Sequence, residues 1–179
     1  MGKRSNFALK NDRGFYRTPP EAVAPLVPHL PRGVRYWEPC AGDGAIMDVL
    51  PGCVRASDTK PLRRDIQCMN VSAIRRFGVD LCGAQMFITN LSFPTGNTRG
   101  DPTVPMIEHL AELLPLWTIL PGDMLFNRYF ARVHPICVKV VPIGRVSWEG
   151  NGVAGKANAC WCLFDAKHIG QPRLMARAA

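Results

Sequence analysis

The sequence predicts an α/β fold, with a mostly parallel sheet finished by an antiparallel C-terminal hairpin. Three observations predict it. Short apolar runs alternate with helical patterns through the first two thirds of the chain, as strand–helix–strand units do. A strand ending at Glu38 is followed at once by a tight Gly42-x-Gly44 turn that opens another apolar stretch. The last third is β-rich and turns back on itself through a loop of Gly, Asn and Lys, the mark of an antiparallel edge.

Residues 1–14 (MGKRSNFALKNDRG) are polar, basic and aperiodic, so a flexible basic arm is expected there. The domain is expected to span residues 15–169, and a loose basic tail residues 170–179. Thr18 reads as a helix N-cap, Pro19 suits a first turn, and Glu21 lies three positions past Thr18. Ala22, Val23, Leu26 and Val27 then share one helical face, and Pro28 and Pro31 end the helix. Strands are expected over residues 34–38, 54–58, 65–69 and 85–90, with a short helix over 45–50 and a longer one over 105–114. Residues 136–141 and 144–148 are β-rich, and the loop 149–158 joins them to a strand at 159–164.

Composition narrows the function classes. The chain has 179 residues, 47% hydrophobic and 20% charged, which excludes a disordered polymer and fits one domain with a single core. No apolar run approaches the ~18–20 residues of a membrane span, and no signal-peptide core follows Met1-Gly2-Lys3-Arg4. A cytoplasmic protein without a membrane partner is expected, in a host cytoplasm if the gene is a phage's. Lys and Arg number 22 against 14 Asp and Glu, a formal charge of +8. That balance favours a polyanionic partner, nucleic acid first, with plain solubility as the alternative. The seven cysteines include no CxxC pair, so reduced thiols are expected, with neither a metal site nor a disulfide framework.

The densest local signal is Trp37-Glu38-Pro39-Cys40-Ala41-Gly42-Asp43-Gly44. Glycines let a backbone approach a ligand closely, and the carboxyl end of a central strand is where open α/β sheets bind cofactors. The third glycine of GxGxxG is absent, and no GK[ST] follows, which weakens a dinucleotide or P-loop reading. Asp58 ends the next strand, where an acid can accept hydrogen bonds from both hydroxyls of a ribose. Taken singly, these are ordinary loop features.

Taken in order they resemble a family. Phe15-Tyr16-x-Thr18-Pro19, Glu38-Pro39-x-x-Gly42-Asp43-Gly44, Ser57-Asp58 and Phe87-Ile88-Thr89-Asn90-x-x-Phe93 resemble the class I S-adenosylmethionine-dependent methyltransferases. Within these, the chain looks like the small phage-type enzymes that methylate adenine N6 in DNA. The resemblance extends to Pro121–Arg128, Gly144-Arg145-Val146 and Asn158–Trp161. It implies a Rossmann-like, mostly parallel seven-stranded sheet. It also implies that Tyr16, Thr18, Pro19, Glu38, Gly42, Gly44 and Asp58 hold S-adenosylmethionine, with Asn70, an amide, near the place of the third-strand acid. Asn90 and Phe93 match the ends of the Asn-Pro-Pro-Phe/Tyr motif, in which the amide accepts hydrogen bonds from the target amine and the ring stacks on the extruded base. Leu91-Ser92 stands where the family has Pro-Pro. Ser92, Asp123, Asn127 and Trp148 are the substrate-side candidates, a solvated helix start being the alternative for Asp123 and Asn127. Arg63-Arg64 and Arg75-Arg76 are candidates for phosphate contacts. Two rival classes are a binding module that catalyses poorly and a protein methyltransferase acting on glutamine amides.

Overall fold

The computed structural model describes residues 17–76, 81–91, 102–148, 150–155 and 157–176. Among these, one sheet contains β1 (Tyr36–Glu38), β2 (Cys53–Asp58), β3 (Gln67–Cys68), β4 (Met86–Thr89), β5 (Leu116–Pro121), β6 (Cys137–Gly144), β7 (Ala159–Phe164) and β8 (Arg173–Leu174). The strand order is β3-β2-β1-β4-β5-β7-β6-β8. Neighbours from β3 to β5 pair in parallel, whereas β7 pairs antiparallel with both β5 and β6. Because β7 is reversed against both, β6 runs with β5. Strands β1, β2, β4, β5 and β6 therefore all finish at the same end of the sheet.

The central strands are buried on both faces, and their alternation builds two cores. Trp37, Phe87, Leu116, Cys160 and Cys162 face one side, against α2 (Val71–Arg76) and α3 (Thr103–Leu113). Helix α3 turns Val104, Ile107, Leu110 and Ala111 inward at helical spacing. Tyr36, Met86, Ile88, Trp117, Ile119 and Trp161 face the other side, against α1 (Pro20–Val23), Ile46 and Leu50. Trp161 Nε1 donates to the Ala22 carbonyl at 2.7 Å and fastens α1 to the sheet.

Several local expectations change. The sheet has one strand more than the seven expected, because part of the tail read as loose adds β8 beside Lys139 and Val140. Residues 45–50 form no regular helix. They make isolated helical turns, Asp48 N–H to the Gly44 carbonyl and Leu50 N–H to the Ile46 carbonyl, while Ala45, Ile46 and Leu50 still point inward. Helix α1 stops after one turn and continues as a 3-10 segment, Ala24–His29, that runs through Pro28 and leaves Val27 51% exposed. Proline removes an i−4 hydrogen bond, which a tighter winding tolerates. Residues 145–148 lie outside β6. The arm 1–14, Tyr16, Ser92 and Phe93 lie outside the described residues.

The β1–β2 connection depends on one glycine. Gly52 has φ +97, and a Cβ there would run into the Val34 carbonyl oxygen, while its own carbonyl accepts the Tyr36 N–H at 3.0 Å. Gly52→Ala is expected to destabilise the fold by about 2 kcal/mol or more, read as a lowered midpoint of urea unfolding.

Candidate active site

The end of the sheet where the five strands finish gathers most of the residues singled out by sequence. Gly42 and Gly44, with φ of 54 and 81, turn the chain after β1 in a way that L side chains resist. The turn is tied to β2 twice. Ala41 N–H donates to the Ser57 carbonyl, and Gly42 N–H donates to Asp58 Oδ2, both at 2.9 Å. Asp58 Oδ1 accepts the Lys60 N–H at 2.8 Å. Each carboxylate oxygen thus spends one lone pair on backbone, which fixes the rotamer and leaves one lone pair on each for a ligand.

Beneath the turn, Glu38 is 2% exposed, and its Oε2 has no hydrogen-bond partner among the described residues. Burial pushes its carboxyl well above the usual range. Asp43, Asp48 and Asp58 add to the rise, and a hydrogen bond from the Met47 N–H opposes it. The folded state therefore holds this proton to higher pH than the unfolded chain does. The stability involved is present at low pH and is lost as pH rises from about 4.5, the ordinary value, through the raised one. Glu38→Gln, neutral at every pH, is expected to flatten that part of the melting-temperature profile, and an unchanged slope would contradict it. Burial also pushes the neighbouring Cys40 thiol up to about 12, with the Asp58 charge adding to it, so no thiolate forms here at neutral pH.

Two arginines bracket the turn. Arg63 donates to the Asp43 carbonyl at 3.3 Å and to Asp48 Oδ1 at 2.7 Å, and pairs with Asp65 at 2.6 Å. It occupies the space a Cβ on Gly44 would need. Sequence offered Arg63 as a phosphate contact, but its guanidinium is engaged by the protein, while Arg64 stays exposed. Arg17 pairs with the Asp43 carboxylate at 3.4 Å from the other side.

Asn90 follows β4 directly. Its Nδ2 donates to Thr18 Oγ1 at 3.2 Å, and its Oδ1 is buried with no partner among the described residues. This corrects the capping role read for Thr18: the N-cap of α1 is Pro19, with no side-chain capping bond. Leu91 is 1% exposed within the apolar cluster under α3. The chain leaving Asn90 is anchored there by packing.

The remaining candidates are scattered around the same end. Asp123 and Asn127 are exposed in the 3-10 turns after β5. Trp148 is half-buried and lines a cavity of about 560 Å³ with Arg17, Pro19, Pro20, Glu21 and Ser147. The cavity lies between the start of α1 and the loop after β6. Asn70 is exposed and is turned to α2, where its Oδ1 accepts both the N–H and the hydroxyl of Ser72. Among the described residues no group of three or more His, Cys, Asp or Glu could hold a metal ion, and no helix is long and apolar enough to cross a membrane.

No family model matches the chain, and no curated protein matches it. Solved structures do. A protein from Listeria monocytogenes, described as a class I S-adenosylmethionine-dependent methyltransferase, superposes with a TM-score of 0.59 at 11% identity, over 96% of this chain and 68% of that one. The fold is that of a class I methyltransferase. The same architecture recurs in the modification subunit of a type I restriction enzyme from Vibrio vulnificus (TM-score 0.57, 13% identity, 94% of this chain and 47% of that one). It recurs again in the EcoKI modification protein (TM-score 0.55, 14% identity, 88% and 44%). The chain spans less than half the length of these modification subunits. The glycine turn follows β1, Asp58 ends β2 and Asn90 follows β4, all at one end of the sheet. Sequence missed the Thr18–Asn90 bond, since nothing local links two residues 72 positions apart.

Proposed function

We propose that this protein is an S-adenosylmethionine-dependent methyltransferase acting on an exocyclic amino group, adenine N6 of DNA before others. The observation that carries the reading is Asn90: a buried amide oxygen without a partner among the described residues, at the carboxyl end of β4, with the other end of the amide already bonded. An acceptor placed so is suited to an N–H that arrives from a substrate.

The residues present fit the cofactor. Gly42 and Gly44 hold the turn after β1 in a left-handed conformation, Asp58 keeps lone pairs for ribose hydroxyls, and the buried Glu38 carboxyl lies beneath with Oε2 unpartnered among the described residues. When bound, S-adenosylmethionine supplies a methyl group on a positively charged sulfur, which keeps the electron pair of the broken bond. Asn90 Oδ1 accepts a hydrogen bond from the amine, which raises electron density on the nitrogen and fixes its direction. The nitrogen takes the methyl and releases a proton to water. Positioning and polarisation supply the catalysis, and no strong base is required.

A nucleic-acid substrate agrees with the charge. Arg17, Lys60, Arg128 and Arg145 are exposed near the end of the sheet where Asn90 sits, and the chain carries a formal +8. The cavity walled by Trp148 offers a ring for an extruded base. The test is incubation with methyl-labelled cofactor and a panel of DNA, RNA and protein, followed by nucleoside and amino-acid analysis. Label in N6-methyladenine from DNA is expected. Label in glutamine side chains would select the protein-modifying alternative. Cofactor binding with label nowhere would mark a non-catalytic binding module.

A further inference from the structure

We infer that Thr18 is a positioning residue for the target amine, acting through Asn90 rather than on the cofactor. The inference rests on the methyl-transfer reading and adds to it the group that holds the Asn90 amide in place on the substrate side. An asparagine side chain presents two donors at one end and an acceptor at the other, in nearly the same shape. An amine brings N–H groups, so only the orientation with Oδ1 facing it is productive; the flipped amide would oppose donor to donor. The productive orientation obliges Nδ2 to point elsewhere in a confined site, and there it needs an acceptor. Thr18 Oγ1 is that acceptor, 3.2 Å away on a residue 5% exposed. A threonine hydroxyl can donate as well as accept, so it holds the amide in place at the site, and in the structure Nδ2 lies on Thr18 while Oδ1 has no partner among the described residues.

The hydroxyl is itself well held. Pro19 and Pro20 follow it and stiffen the backbone. The Arg17–Asp43 pair ties the residue before it to the glycine turn. Helix α1, which begins at Pro20, is fastened to the sheet through the Ala22 carbonyl and Trp161. A short segment therefore runs from the glycine turn, through Arg17, to the catalytic amide.

The test compares Thr18→Val, which keeps the shape and removes the acceptor, with Thr18→Ser, which keeps the acceptor. With methyl-labelled cofactor and DNA, Thr18→Val is expected to lower kcat by roughly tenfold or more with cofactor Kd unchanged, and Thr18→Ser to retain most of the wild-type rate. Unchanged kcat in Thr18→Val overturns the inference. So does weakened cofactor binding at unchanged kcat, which would place Thr18 on the cofactor, or a Ser variant as impaired as the Val variant. A second readout needs no turnover. In NMR of the folded protein, the Asn90 side-chain N–H protons are expected to exchange slowly in wild type and Thr18→Ser, and faster in Thr18→Val. If the wild-type protein methylates nothing, the functional reading fails and the exchange measurement still judges Thr18. Equal exchange in all three proteins sinks the inference.

Discussion

Asn90→Ala is expected to lower turnover about a thousandfold, the scale of removing one preorganised hydrogen-bonding group from a reaction centre, while leaving cofactor affinity unchanged. The amide sits after β4, away from the β1–β2 ribose position, and its single bond within the described residues is to Thr18. Truncation removes the acceptor for the amine and leaves the Thr18 hydroxyl unbonded, without touching the Gly42–Asp58 contact. The measurement pairs single-turnover methylation with calorimetric titration of S-adenosylmethionine. A parallel loss in both would show that Asn90 helps to hold the cofactor, and the division of roles along the sheet edge would be wrong.

Asp58→Ala is expected to do the reverse, raising the cofactor dissociation constant about a hundredfold, as the loss of two charge-assisted hydrogen bonds would. Two effects combine. The ligand loses the free lone pair on each carboxylate oxygen, and the N–H groups of Gly42 and Lys60 lose their acceptors. The second effect also loosens the turn that approaches the ligand. Asp58→Asn is expected to be milder, because its amide oxygen still takes one backbone N–H and one ribose hydroxyl, while its amino group meets a backbone donor on the other side. A variant that binds S-adenosylmethionine as tightly as wild type would contradict the ribose role.

Strand positions were legible because the strands are short, apolar and bounded by Gly, Pro or polar residues. Tyr36-Trp37-Glu38 and Met86–Thr89 are examples, and burial on both faces leaves such segments no other use. The stretch 45–50 was legible as an inward face but not as turns, because local sequence carries no record of the neighbours that draw it off a regular helix. β8 was illegible for the same reason: Arg173 and Leu174 are both exposed, and what fixes them is the unpaired edge of β6. At the site, Gly42, Gly44 and Asp58 announced themselves through spacing. The work of Arg63 and Thr18 did not, since each acts through partners remote in sequence: Asp43 and Asp48 for the one, Asn90 for the other.

Leu91 carries a consequence for how the site tolerates heat. Where a proline would stiffen the backbone after Asn90 by its own ring, here the backbone beside the amide is anchored by a side chain sunk in the interior shared with α3. Interior packing softens in patches before a protein melts. On the methyl-transfer reading, the site should lose its aim on warming while the protein is still folded, and its working range should end some degrees below its melting point.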